Sequence, residues 1–350
     1  MTASAWHHVR EAIDFAWARI HHDQDPLNDR ERCDGDRYLQ YIVATAAQYS
    51  LMVSEPSRPT FIPPLPSSRW LGASGPDIDY DVANIRPGVR YRITGIRGGS
   101  SYVGICIYAN DPAGTAQAMV DNVDVDALAD ADGRFEFEVA HPAATRVIIR
   151  QYFHDRATQE RGSWTIACLD PVPATEVDVP SSAEVDGRVT MIANSIRWNA
   201  QLNQLWGADL RTRPNRLVLQ HADDIVAAVP NPDVTYAFGW WRLEPNERLE
   251  IDVAPPPDTV SCRYWGLQIC DRWFQSHPDR RMNLNDRAAR SSADGTVRMT
   301  LSDTDPGHPN WLRTYGHTTG TMFFRWLHYT PDAPPTCRVL RSPTVRSAGS

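Results

Sequence analysis

The chain has 350 residues, of which 42% are hydrophobic and 22% charged, so it can bury a large core and is not a disordered polymer. A formal net charge of −8 with no basic cluster argues against a nucleic-acid partner. No apolar run reaches the roughly 18 residues of a membrane span, and MTASAWHHVREAIDFAWARIHHDQ lacks an apolar signal core, so a cytoplasmic location without membrane association is expected.

Residues 5–22 place Trp6, Val9, Ile13, Ala16, Trp17 and Ile20 at helical spacing, predicting an amphipathic helix. A second helix is predicted over 36–53, with Leu39, Ile42, Val43 and Ala46 on one face. SEPSRPTFIPPLPSSRW carries five prolines, which forbid a helix or a central strand and predict an extended connector. From about 78 to 170 the runs VRYRITGI, SYVGICIYA, GRFEFEVA, TRVIIRQYF and GSWTIACL alternate with Gly, Asp and Pro, as in a β-sandwich or jelly roll. A linker follows, then a helical pattern over 184–212 and a second strand-rich block from about 233 to 340. The expected fold is therefore mainly β with helical segments: two tandem antiparallel sandwich units plus N-terminal and connecting helices. The expected divisions are 1–70, 71–180, 181–230 and 231–342. Cys33, Cys106, Cys168, Cys262, Cys270 and Cys337 form no CxxC pair and read as reduced thiols.

The two strand blocks are copies of each other. PDIDY at 76–80 recurs as PDVTY at 232–236, GICI as GLQI, ADGRFEFEV as ADGTVRMTL, and VIIRQYFH as MFFRWLH through Arg150 and Arg325. Gly104 to Asp132 and Gly266 to Asp294 both span 28 positions, whereas Asp132 to Arg150 spans 18 and Asp294 to Arg325 spans 31. The 13 extra residues match the length of DPGHPNWLRTYGH, the most chemically loaded loop of the chain. Such an insertion on a scaffold either carries function or seals the interface between the two sandwiches.

The segments VTYAFGWWRLEPNERLEI, CRYWGLQICDRWFQS and ADGTVRMTLSDTDPGHPNWLRTYGHTTGTMFFRW resemble the family called domain of unknown function 1214, strongly over 190–340 and more loosely over 70–170. The resemblance implies a double β-sandwich with helical connectors. Some longer members are described as metal-dependent hydrolases of phosphorylated small molecules. Many members carry aspartate after Asn-Trp-Leu where this chain has Arg313, so no carboxylate role is carried to that position.

Within the loop, His317 after Gly316 is the first candidate for general acid–base work, against a histidine that bonds loop carbonyls. His308 reads as a surface residue. Asp303 and Asp305 are candidates for proton transfer or for a weakly held calcium or magnesium, against plain turn chemistry. Asn310 and Trp311 are loop architecture or substrate contacts. Arg325 alternates with Phe324 and Trp326, and Arg263 neighbours Trp265; both arginines are candidates to clamp an anionic group, or to pair with Asp271 or Asp303. Asp77 and Asp233 recur in both copies and read as turn caps with a tyrosine packed behind; Tyr236 and Trp265 are further candidate contacts.

No GxSxG, GxGxxG, P-loop or HExxH motif occurs. The leading expectation is a non-redox hydrolase or lyase, free of an organic cofactor, acting on a small molecule with an apolar body and an anionic group. The alternatives are an isoprenoid-type cyclase with an acid and an aromatic pocket, a non-catalytic carbohydrate-binding protein, and a structural protein whose paired sandwiches form a homo-oligomer.

Overall fold

The computed structural model describes residues 3–51, 58–63, 75–110, 117–170, 181–220, 231–258, 260–276 and 281–341. Most of the proline-rich connector and the linker after residue 170 lie outside the described residues. Helices α1 (Ala3–His21) and α2 (Asp29–Leu51) precede strands β1 (Ile78–Asn84), β2 (Tyr91–Ile96), β3 (Tyr102–Asn110), β4 (Gln117–Asp124), β5 (Arg134–Val139), β6 (Arg146–Tyr152) and β7 (Ser163–Cys168). Helix α3 (Ser182–Thr212) leads into β8 (Arg216–Gln220), β9 (Val234–Arg242), β10 (Glu247–Val253), β11 (Tyr264–Asp271), β12 (Asn283–Asn285), β13 (Val297–Ser302), β14 (Trp311–Arg313), β15 (Thr319–Leu327) and β16 (Thr336–Arg341).

The strands form two sandwiches. In the first, sheet β1-β6-β3-β4 faces β5-β2-β7; in the second, β12-β11-β15-β9-β8 faces β14-β13-β10-β16. The duplication holds strand for strand. The order β1-β6-β3-β4 recurs as β9-β15-β11-β12, and β5-β2-β7 recurs as β13-β10-β16. Among the described residues, β14 has no counterpart strand in the first sandwich, and β8 is matched there by an isolated antiparallel bridge of Ile62 to Val82. Alternation fills both cores: Ile93, Ile105, Val147 and Ile149 in the first, Leu249, Leu267, Phe324 and Trp326 in the second.

Three expectations are corrected. Strand β8 lies inside the span expected to be a helical connector. Asn215, at φ 61°, turns the chain out of α3, and Leu217 and Leu219 then reach the second core. Trp6 and Trp17 are exposed, while Ala12, Ala16 and Ile20 make the buried stripe of α1. Helix α2 starts at Asp29, seven residues before the expected position 36, because Asn28 and Glu31 form a capping box. Asn28 Oδ1 accepts from Glu31 N at 2.9 Å and Glu31 Oε2 accepts from Asn28 N at 3.0 Å.

The inserted loop does not seal the contact between the sandwiches. It adds β14 as a parallel edge strand beside β13 and then returns past helix α2, where Asn28 Nδ2 donates to Gly316 O at 2.9 Å. The three helices pack on one another around Ile42, Ala46 and Ile196, with Trp273 of the second sandwich in the same cluster. The sandwiches themselves meet through the outward faces of their larger sheets, where Ile78, Tyr102 and Tyr152 cluster with Val234, Tyr264 and Leu327.

Candidate functional site

The strand period of two decides which side chains enter the inter-sandwich face. On β6, Val147 and Ile149 belong to the core and Arg150 points away from it; on β15, Phe324 and Trp326 belong to the core and Arg325 points away. Arg150 is 4% exposed and Arg325 is 7% exposed, and they occupy equivalent positions in the two copies. Arg150 Nη1 donates to Cys106 Sγ at 3.4 Å, and its guanidinium lies 5.9 Å from the Tyr80 ring and 5.8 Å from the Tyr108 ring. Arg325 Nη1 donates to Gln268 Oε1 at 2.7 Å, with the rings of Tyr236 at 6.0 Å and Phe323 at 5.6 Å. Tyr80, beside Arg150, and Tyr236, beside Arg325, pack against one cluster of residues from both sandwiches, so the two cations lie along the same tyrosine-lined contact.

That contact has a definite protonation state. Burial pushes the phenols of Tyr108, Tyr152 and Tyr236 up and the Cys106 thiol up, so all four stay protonated at neutral pH. Two cations and several neutral O–H donors in a low-dielectric setting suit an anion. Beside Arg325 the surface turns apolar, with Leu202, Cys270, Phe274, Phe323 and Phe238 in one cluster.

The recurring aspartates frame this contact by reaching across it. Tyr102 OH of the first sandwich donates to Asp233 Oδ2 at 2.5 Å, and Asn122 Nδ2 donates to the same oxygen at 2.9 Å. Reciprocally, Tyr264 OH donates to Asp77 Oδ2 at 3.1 Å, and Asn283 and Asn285 donate at 2.7 and 2.8 Å. Each copy's aspartate thus binds the other copy's tyrosine and asparagine. This accounts for the recurrence that the sequence expectation assigned to local turn capping.

The remaining expected residues do not gather here. His317 is buried at the junction of β15 with α2, its Nε2 2.9 Å from Asp34 Oδ2, while its Nδ1 has no hydrogen-bond partner among the described residues. Burial opposes ionisation of Asp34, but the His317 hydrogen bond and the charges of Arg37, His317 and Arg30 hold its carboxyl far below the usual range. Burial pushes the nearby Asp271 carboxyl up to about 6, although Trp273 and Gln275 donate to it. At a strand rise of about 3.3 Å per residue, Arg325 stands roughly 20 Å along β15 from the end next to His317. The expected single pocket holding both residues is therefore not formed.

Asp305 accepts from Gly307 N at 2.8 Å, which is turn chemistry, and Asp303 accepts from Gly316 N at 2.8 Å while exposed. Asn310 Nδ2 donates to the carbonyls of Arg290 and Arg298, each at 2.7 Å, tying the loop down, and His308 Nδ1 accepts from Asn310 N. Trp311 donates Nε1–H to Ser302 O at 3.1 Å. Trp265 stacks on Phe324 in the core. Arg263 pairs with Asp124 at 2.7 Å and with Asp126, clamping the two sandwiches together, in place of the Asp271 or Asp303 pairing expected from sequence. Of the expected site residues, Arg325 and Tyr236 lie at the inter-sandwich centre. Arg150, Tyr80, Tyr108, Tyr152, Cys106 and Gln268 were not among the expected site residues. The signal that could have found Arg150 is its equivalence to Arg325 in the duplication. Among the described residues, no three His, Cys, Asp or Glu side chains converge on a common metal position.

No family profile and no curated protein matches the chain. Among solved structures it is similar to an uncharacterized protein from Burkholderia cenocepacia, with 25% identity, a TM-score of 0.86 and 97% of each chain covered. A protein from Vibrio parahaemolyticus aligns over 94% of this chain and 100% of its own at 12% identity, with a TM-score of 0.46. The first likeness shows that the complete arrangement of helices and sandwiches recurs in an experimental structure.

Proposed function

We propose that the chain binds a small molecule with an anionic head and an apolar body between its two sandwiches, and converts it by non-redox acid–base chemistry of the hydrolase or lyase type. The observation that carries the reading is that Arg150 and Arg325, equivalent in the duplication and both buried, lie along one tyrosine-lined contact between the sandwiches. The guanidiniums hold the anion, and the cluster of Phe238, Phe274 and Phe323 accommodates the apolar body. Tyr152 and Tyr236, kept neutral by burial, are O–H hydrogen-bond donors beside the anion.

The same aromatic cluster favours one second reading, an isoprenoid-type cyclase in which the arginines hold a departing diphosphate and Phe faces stabilise the cation. A carbohydrate-binding jelly roll draws less support, because Trp240, Trp241, Trp265 and Trp326 of the second sandwich are buried. Kinship with domain of unknown function 1214 rests on the Pro-Asn-Trp-Leu and Gly-His segments of the inserted loop. Six free cysteines support a reducing, cytoplasmic setting.

The test is a thermal-shift and calorimetric screen of the full chain with fatty acids, aromatic carboxylates, organic phosphates and isoprenoid diphosphates. Binding should raise the melting temperature, and Arg325→Ala or Arg150→Ala should weaken it at least about tenfold. A wild-type chain indifferent to every anion, or arginine variants that bind as wild type does, overturns the proposal.

A further inference from the structure

Helix α3 buries Val189, Ile192, Ala193, Ile196 and Ala200 against α1 and α2. Its opposite face carries Met191, Trp198 and Leu205, which are 43%, 36% and 56% exposed. They recur every seven residues, so they lie in line on one stripe about 21 Å long. A solvated helix face of this length is ordinarily polar. Gly187 lies on the same face, and a Cβ built there meets nothing within 4 Å.

The charges around the stripe say what covers it. Glu184 and Arg188 flank its N-terminal end, Asp209 and Arg213 its C-terminal end, and Glu184, Asp209 and Arg213 are exposed. If a second α3 is laid antiparallel across the first, Met191 meets Leu205 of the second copy and Trp198 meets its own counterpart. In that register Arg188 faces Asp209 of the second copy and Glu184 faces Arg213 of the second copy. Both ion pairs centre between Trp198 and Asn199, half a residue from Trp198, on which the apolar stripe centres. A stripe that is its own complement when reversed is what a two-fold interface requires, because the same patch serves both partners. A partner of different sequence needs no such palindrome. We propose that this face of α3 is the docking surface for a second copy of the chain, giving a two-fold dimer through antiparallel α3 helices. Within each chain Asp209 already pairs with Arg213, and Glu184 closes the capping box with Ser181, so these flanking charges are held in place before association.

The experiment is sedimentation velocity of the full chain across the micromolar range, with far-UV circular dichroism to confirm that each variant is folded. The wild type should sediment as a dimer in equilibrium with monomer. Trp198→Glu should leave only monomer. Arg188→Glu should weaken the dimer about tenfold through like-charge contact with Asp209 of the second copy, and adding Asp209→Arg should restore it. A wild type that is monomeric throughout the range overturns the proposal, as does a dimer indifferent to Trp198→Glu. Failure of the double charge reversal to rescue Arg188→Glu overturns the antiparallel register.

Discussion

Glu31 carries the attachment of the N-terminal helices to the second sandwich, and its removal has a calculable cost. The side chain is fully buried. Its Oε1 lies 2.9 Å from Nη2 of the fully buried Arg272 and accepts from both N and Oγ1 of Thr318 at 3.0 Å, while Oε2 closes the α2 capping box. Glu31→Ala removes the cap contribution, about 1 kcal/mol, and leaves a buried guanidinium short of its closest carboxylate, typically about 3–5 kcal/mol. Arg272 keeps Asp23 at 3.7 Å and the Asp25 carbonyl at 2.8 Å, so the lower end of that range applies. The expected loss is about 3–4 kcal/mol. Glu31→Gln has a single side-chain oxygen, which can serve either the cap or Thr318 and Arg272 but not both, and it carries no charge, so its loss should approach that of Glu31→Ala. Urea unfolding followed by tryptophan fluorescence and circular dichroism measures both. A Glu31→Ala variant within about 1 kcal/mol of wild type would refute the argument that this buried pair holds the helices in place.

Asp271 should impose a pH dependence of its own. Its folded-state carboxyl sits at about 6 against an ordinary 3.8, so between those values the native state keeps a proton that the unfolded chain has lost. Its contribution to stability therefore falls as pH rises through that window, and Asp271→Asn should flatten that limb of the melting-temperature profile; an unchanged slope counts against the assignment. Asp34, held low by His317, Arg37 and Arg30, works the other way: its stabilisation is present above the ordinary carboxylate value and is lost in acid. Asp77→Ala strands Tyr264, Asn283 and Asn285 at the inter-sandwich contact and should cost about 2–4 kcal/mol in urea unfolding; a neutral result would show that the reciprocal aspartates are dispensable. His317→Gln should leave anion affinity within about twofold of wild type, because His317 lies far along β15 from Arg325. A large loss of affinity would return His317 to the binding site.

Much of the architecture was legible in the chain itself. Period-two runs broken by Gly, Asp and Pro are local features, and they marked most strands of both sandwiches. The repeated spacings from Gly104 and Gly266 announced the duplication that the two sheet orders display. The alternation Phe324-Arg325-Trp326 already placed Arg325 on the face opposite the core. Elements without strong local preference were missed. QAMVDNVD becomes β4 only because β3 offers it an edge, and RLVLQ becomes β8 only because β9 does.

The choice among chemically plausible side chains belonged to the tertiary structure. The loop from Asp305 to His317 looked like a reactive site because it concentrates His, Asp, Asn and Trp. Folding assigns those groups to turns, to an edge strand and to a buried bond with Asp34. Sequence could show that Arg150 and Arg325 are equivalent, but not that two sheets turn their outward faces together and bring both to one desolvated contact. That meeting depends on contacts between residues more than a hundred positions apart, such as Tyr102 with Asp233 and Tyr264 with Asp77. Local propensity carries no record of such contacts. Burial and register alone created them.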